Sequence, residues 1–171
     1  MNPIGVVICN YNKKDFVLQC VQSVLESKEK NFDIYVVDNA SSDGSAEALK
    51  KAYGNQITVI ENKENLGGSG GFNTGLRIVR DKGYSYFMCL DDDAAVDENA
   101  LSALYHYMEE HTDTGMAGCR VYHTQMPDYI QQSGLLIDFD NCTAKTIGAD
   151  MLEDGSLPDV IECDTVATCA V

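Results

Sequence analysis

The sequence predicts an α/β fold: a doubly wound, mostly parallel sheet that continues into an antiparallel C-terminal extension. Through the first two thirds of the chain, short β-rich runs alternate with amphipathic stretches, the pattern of strands joined by crossover helices. After residue 122 that rhythm gives way to short strands joined by turns. A third observation locates the ligand edge of the sheet. The triplet Asp91-Asp92-Asp93 directly follows Tyr84-Ser85-Tyr86-Phe87-Met88-Cys89-Leu90, which reads as a buried strand, and in an open α/β sheet ligands bind beyond the carboxyl ends of the strands.

The elements follow in order. Residues 4–9 form the first strand, and residues 15–27 a helix with Val17, Cys20, Val21, Val24 and Leu25 on one face. A second strand over 32–37 leads to a helix at 45–53. A third strand, 57–61, runs through a flexible glycine-rich loop into a helix at 72–82. The fourth strand ends at Asp91, and a helix at 99–110 carries Leu101, Leu104, Tyr105 and Met108. Residues 116–122 predict another strand. Beyond it, 130–138, 143–147 and 159–164 predict short antiparallel strands, with Asp154-Gly155 as a tight hairpin. The apolar run 165–171 has no following turn or cap, so the chain reads as the N-terminal part of a longer protein.

Composition sets limits. The 171 residues suit one domain with a proper core, since 44% are hydrophobic. A net charge of -15, from 27 acidic and 12 basic residues, argues against a nucleic-acid surface, which needs clustered Lys and Arg. Seven cysteines lie singly with no Cys-x-x-Cys pair, a pattern of reduced thiols in a cytoplasmic protein rather than of a disulfide framework. No apolar stretch approaches the roughly 18 residues that span a bilayer.

Four strand-end loops carry candidate chemistry. Three crowded carboxylates repel one another unless a proton or cation intervenes, and Mg²⁺ or Mn²⁺ prefers oxygen ligands, often one or two carboxylates plus phosphate oxygens. The blander reading is a solvated acidic turn. After strand one, Tyr11 in Cys9-Asn10-Tyr11-Asn12-Lys13 offers a face on which a nucleobase stacks, although an Asn-rich turn would look the same. After strand two, Asp38 can accept from the imide N–H of uracil or thymine, whereas Ser42, Asp43 and Ser45 read as turn and cap residues. The loop from Asn65 to Gly75 fails both common phosphate motifs. A Rossmann fingerprint from Gly68 meets Asn73 where Gly or Ala is needed, and a P-loop from Gly70 meets Leu76-Arg77 after Gly75.

In order and spacing, Tyr11-Asn12, Asp38-Asn39-Ala40-Ser41-Ser42-Asp43-Gly44-Ser45, the Asn65 glycine loop and Asp91-Asp92-Asp93 resemble the donor-binding half of a family 2, GT-A-fold glycosyltransferase. The glycine-rich stretch and the acidic triplet look most like its rhamnosyl- and galactofuranosyltransferase branches. The resemblance implies a nucleotide-sugar-binding core over 1–125 and the start of an acceptor-side extension over 126–171. It puts Cys9, Tyr11, Asp38, Asn65, Asp91 and Asp92 at the nucleotide sugar, and Asp91 and Asp93 at a Mg²⁺ or Mn²⁺ ion. Phe72 stands where many relatives carry a base. The implied reaction inverts the sugar from a UDP- or dTDP-sugar onto a glycan or lipid-linked acceptor, with its general base beyond Val171. It also leaves room for peripheral attachment at the inner membrane face through segments outside residues 1–171. A binding fragment without turnover, or a metal-dependent nucleotidyltransferase or phosphohydrolase, are the alternative readings.

Overall fold

The computed structural model describes residues 4–166. Its first part is built from β1 (Ile4–Asn10), α1 (Lys14–Leu25), β2 (Phe32–Asp38), α2 (Ser45–Tyr53), β3 (Ile57–Glu61), α3 (Gly67–Lys82) and β4 (Tyr86–Asp91). All four strands are parallel, in the order β3-β2-β1-β4. The chain winds outward from β1 to β3 and then returns to the other side of β1. Because parallel crossovers are right-handed, that reversal puts α1 and α2 on one face of the sheet and α3 on the other. Both faces of β1 are therefore covered, and Val6, Val7 and Ile8 are each fully buried, as an unbroken apolar run in a parallel strand requires.

Glycine sets how closely α3 approaches. A Cβ on Gly75 would lie 2.4 Å from Val7 Cγ1, and one on Gly71 would lie 2.2 Å from Cys9 Sγ. One turn further on, the relation inverts: Val79 fills the space over Gly5, where a Cβ would come within 2.5 Å of Val79 Cγ1. Small residues thus face large ones along the whole contact. Around it, Val7, Tyr35, Val37 and Val79 form a core cluster with Ile60, Phe72, Leu76, Ile78 and Tyr84 packed against it.

This contact corrects one expectation. The stretch read as a flexible loop before residue 72 is helical from Gly67 onward. Glycine disfavours helix in isolation, but Gly71 and Gly75 are the residues that let the helix lie this close to β1. Gly67, with φ of +71°, takes up the left-handed turn that begins the helix.

The chain divides into two compact units between Ala103 and Leu104, inside α4 (Ala100–Glu110). The second contains two antiparallel sheets among the described residues, β5 (Val121–His123), β6 (Met126–Gln132) and β9 (Met151–Leu152) in the order β5-β6-β9, and the hairpin of β7 (Leu135–Asp138) with β8 (Thr143–Thr146). Asp138 closes the hairpin by accepting the N–H groups of Asp140 and Asn141, each at 3.0 Å.

The antiparallel character was expected, but several boundaries differ. The run 130–138 is broken by Gly134, whose φ is +111° and where a Cβ would meet Cys163 Sγ at 2.7 Å. Residues 116–120 join no ladder among the described residues, and Met116 is exposed; an apolar run becomes a strand only where a partner strand meets it. Asp154-Gly155 turns the chain but makes no hairpin, because β9 pairs back to β6, Tyr129 opposite Leu152. Residues 159–164 form no strand, and only Thr165 bridges to Leu135. The apolar run continues into 167–171, which lie outside the described residues, as does Cys169. The other six cysteines are free thiols, and no helix among the described residues is long and apolar enough to cross a membrane.

Candidate functional site

The reversal of winding places the ends of β1 and β4 side by side, with Cys9 opposite Asp91 in the parallel register. A ligand edge at such a switch point follows from topology, and the loop leaving β4 returns along α1, where the Val96 N–H donates to Ser23 Oγ at 3.1 Å. On the other side of β1, Asn10 pairs with Asp38. The expected residues Cys9, Tyr11, Asp38 and Asp91–Asp93 therefore converge on adjacent strand ends.

Hydrogen bonds fix these loops to one another. Asn10, fully buried, donates from Nδ2 to Asp38 Oδ1 at 2.9 Å and to Ser41 Oγ at 3.1 Å. Asp38 Oδ2 accepts the Ser41 N–H at 2.9 Å. Each carboxylate oxygen keeps a second lone pair for a further donor. Asn10 Oδ1 is buried and has no hydrogen-bond partner among the described residues. The left-handed residue Asn12 receives the Ser42 N–H on its Oδ1 at 2.7 Å and donates its own N–H to Ser41 Oγ at 3.0 Å. Asp43 accepts the N–H groups of Lys14 and Ser45, so it is a turn residue as expected.

Asn65 is exposed at the entry to α3, where its Oδ1 accepts the Gly67 N–H at 2.8 Å. It is held by Asn39, a buried amide that uses its whole capacity. Asn39 Nδ2 donates to Asn65 Oδ1 at 2.9 Å and to the Gly67 carbonyl at 3.1 Å, while its Oδ1 accepts from Asn62 Nδ2 and from the Leu66 N–H. Tyr11 is 45% exposed, and its N–H donates to Asp92 Oδ2 at 3.2 Å.

Charge is concentrated at the end of β4. Burial, followed by the repulsion of Asp93 and Asp92, pushes the Asp91 carboxyl up, and Lys13 only partly offsets this. Burial, followed by the charges of Asp92, Asp91 and Asp38, raises the Cys9 thiol to about 11, which leaves it protonated and a weak metal ligand near neutral pH. Lys13 Nζ lies 2.6 Å from Asp93 Oδ2 and 3.1 Å from Asp92 Oδ1. Among the described residues, no group of three or more His, Cys, Asp or Glu side chains converges on a metal-sized site. A hard cation here would take carboxylate oxygens from the chain and the rest of its shell from ligand and water, the arrangement magnesium prefers.

Sequence reading missed Asn10, Asn39 and Lys13 as builders of this site. Two of them are asparagines at the ends of buried strands, Asn10 as the last residue of β1 and Asn39 directly after β2, a placement that signals an amide tying loops together as readily as it signals a turn.

Fold and strand-end loops together define a GT-A-type α/β domain. The model for glycosyl transferase family 2 matches residues 5–163, and the chain belongs to that family. It is 27% identical over 146 residues to the teichoic acid poly(glycerol phosphate) polymerase of Staphylococcus epidermidis, covering 82% of this chain and 19% of that one. It is 29% identical over 109 residues to the Escherichia coli UDP-Glc:alpha-D-GlcNAc-diphosphoundecaprenol beta-1,3-glucosyltransferase WfaP, covering 64% and 42% respectively. The chain thus spans less than half of either relative. Among solved structures, the mannosyltransferase PcManGT of Pyrobaculum calidifontis, in complex with GDP-Man and Mn²⁺, superposes with a TM-score of 0.59 at 19% identity, over 72% of this chain and 36% of that one. Staphylococcus aureus TarS 1-349 in complex with UDP-GlcNAc gives 0.57 at 22% identity, over 64% and 32%. At these identities the structures speak for the fold.

Proposed function

We propose that this chain carries the donor-binding part of an inverting sugar transferase, with residues 1–125 as the nucleotide-sugar core and 126–171 opening the acceptor side. The donor is a UDP- or dTDP-sugar and the acceptor a glycan or lipid-linked hydroxyl. The observation that carries this reading is the meeting of Cys9, Tyr11, Asp38 and Asp91–Asp93 at adjacent strand ends where the winding reverses. The UDP-GlcNAc and GDP-Man held by fold neighbours support a nucleotide-sugar ligand. The glycine-rich α3 entry and the acidic triplet favour the rhamnosyl- and galactofuranosyltransferase branches.

In this reading Tyr11 stacks on the base, Asp38 accepts its imide N–H, and Asn65 lines the donor pocket beside Cys9. Asn10 and Ser41 hold the Asp38 carboxylate in one orientation before ligand arrives, so little ordering is needed on binding. Asp92 reaches the ribose. Asp91 and Asp93 hold Mg²⁺ or Mn²⁺, and the residues fit such an ion: both offer hard oxygen donors, and Asp91 has charge that its surroundings do not offset. When bound, the ion supplies Lewis-acid stabilisation of the departing diphosphate. The acceptor hydroxyl gives its proton to a carboxylate that we assign outside residues 1–171, and its oxygen bonds to the anomeric carbon. The bond from that carbon to the diphosphate breaks, and its electron pair leaves with the nucleoside diphosphate.

The test is calorimetric titration with UDP and with dTDP, each with and without Mn²⁺. Binding is expected to need both the metal and Asp93. Undiminished, metal-independent binding by Asp93→Ala refutes the assignment.

A further inference from the structure

The acidic run after β4 already has a cation on it. The Lys13 ammonium bridges Asp93 Oδ2 at 2.6 Å and Asp92 Oδ1 at 3.1 Å. Its backbone is not free to move away. Lys13 is the N-cap residue of α1, and the residues on either side of it are tied to the β2–α2 loop, Asn12 through Ser41 and Ser42, Lys14 through Asp43. What can move is the side chain, which is 43% exposed. Its two partners differ in the same way. The Asp92 side chain is 9% exposed and is also held by the Tyr11 N–H, whereas that of Asp93 is 48% exposed. Bases are scarce nearby, since Gly67–Phe72, which open α3, include none.

We propose that Lys13 is a placeholder cation. Without a divalent ion it neutralises Asp93 and Asp92; when the ion binds, Lys13 gives up Asp93 and turns to the donor diphosphate. The proposal rests on the reading of Asp91 and Asp93 as metal ligands. An ammonium in contact with a carboxylate oxygen and a divalent cation on that same oxygen repel each other strongly, so the two occupy Asp93 in turn. The released ammonium remains at the strand ends because the loop that carries it is fixed. There it supplies the positive charge that α3 lacks at Phe72, and a lysine on a flexible stem suits a partner that changes during a binding cycle.

The exchange predicts effects of opposite sign from one substitution. Mn²⁺ is titrated into wild type, Lys13→Met and Lys13→Arg, with free Mn²⁺ read by electron paramagnetic resonance, and UDP is then titrated at saturating Mn²⁺. Lys13→Met is expected to bind Mn²⁺ about fivefold more tightly, the scale of losing two partly exposed ion pairs, and to bind UDP about fivefold more weakly. Lys13→Arg, which keeps the charge, is expected to stay with wild type in both. A variant that merely folds less well would weaken both ligands, and that result overturns the exchange. Equal Mn²⁺ affinity in wild type and Lys13→Met overturns it while leaving the metal reading intact. Absence of Mn²⁺ binding by every variant, with UDP or without, overturns both.

Discussion

Alanine at Gly75 and at Gly68 should move stability in opposite directions, although both glycines belong to α3. In an exposed helix position, Gly→Ala gains up to about 1 kcal/mol from propensity and reduced unfolded-state entropy. Gly68 is exposed, and a Cβ there meets nothing within 4 Å; its place in the first turn reduces the gain to roughly 0.5 kcal/mol. At Gly75 the new methyl would lie 2.4 Å from Val7 Cγ1 and 3.1 Å from Val37 Cγ2. Both valines are fully buried and stiff at χ1, so neither can swing aside. Overpacking of this kind costs about 1–3 kcal/mol. A 2.4 Å approach between groups that cannot move puts the cost in the upper part of that range, about 2–3 kcal/mol, and against a propensity gain of about 1 kcal/mol the net loss for Gly75→Ala is about 1–2 kcal/mol. Urea denaturation measures both variants, with the midpoint shifting and the slope unchanged. Val7→Ala adds a second check: it makes room for the methyl, so the double variant Val7→Ala/Gly75→Ala should be more stable than the sum of the single losses predicts. If Gly75→Ala is as stable as wild type, or more so, the close contact of α3 with β1 is not what glycine is there to permit.

Further consequences can be measured in the same way. Asn39→Asp removes the donors to Asn65 and Gly67 and sets a carboxylate against their oxygens; a loss of about 2–4 kcal/mol is expected from thermal or urea unfolding, and an unchanged midpoint would mean that the amide does not hold α3's entry. The hydrogen bond from Arg120, aided by Tyr122, holds the Glu153 carboxyl below its usual range. Folding therefore gains stability from Glu153 above the unfolded-state pKa and loses it as pH falls through the lower folded value. Glu153→Gln should flatten that part of the acid unfolding profile, and a profile parallel to wild type would refute the linkage. Burial lifts the Cys20 thiol to about 12, so at pH 8 a thiol reagent should label exposed Cys142 well before Cys20; peptide mapping of the labelled protein reads the order.

The parallel sheet was legible because residues 4–9 and 34–37 are continuous runs without a charged or amide side chain, and such a run can be satisfied by burial on both faces. The helical state of Gly67–Gly71 was not legible locally. The reason for Gly71 lies in Cys9, and that for Gly75 further along the helix in Val7, on a strand some 60 residues earlier, whereas propensity sees only neighbours along the chain. The same limit hid Lys13, whose carboxylate partner Asp93 is 80 residues away, and Asn39, whose partner Asn65 is 26 away. Asp91–Asp93 could be found because their own crowding is a local electrostatic problem that calls for a cation. In the second unit, apolar content indicated strands, but Gly134's backbone conformation determined where one strand became two.

The order β3-β2-β1-β4 also has a consequence during synthesis. β1 meets β2 across a separation of 28 residues, Ile4 beside Phe32, but meets β4 only across 82, Ile4 beside Tyr86. β2 gains both its neighbours once β3 has been made, while β1 still waits for β4. At about 5–20 residues per second, the gap between completing β2 and completing β4 lasts roughly 3–11 s. Through that interval the nascent chain presents one side of Val6-Val7-Ile8 as an unpaired apolar edge, the kind of surface on which chains pair wrongly with one another. β1 is made before every other strand of this sheet, yet it is the last to be enclosed.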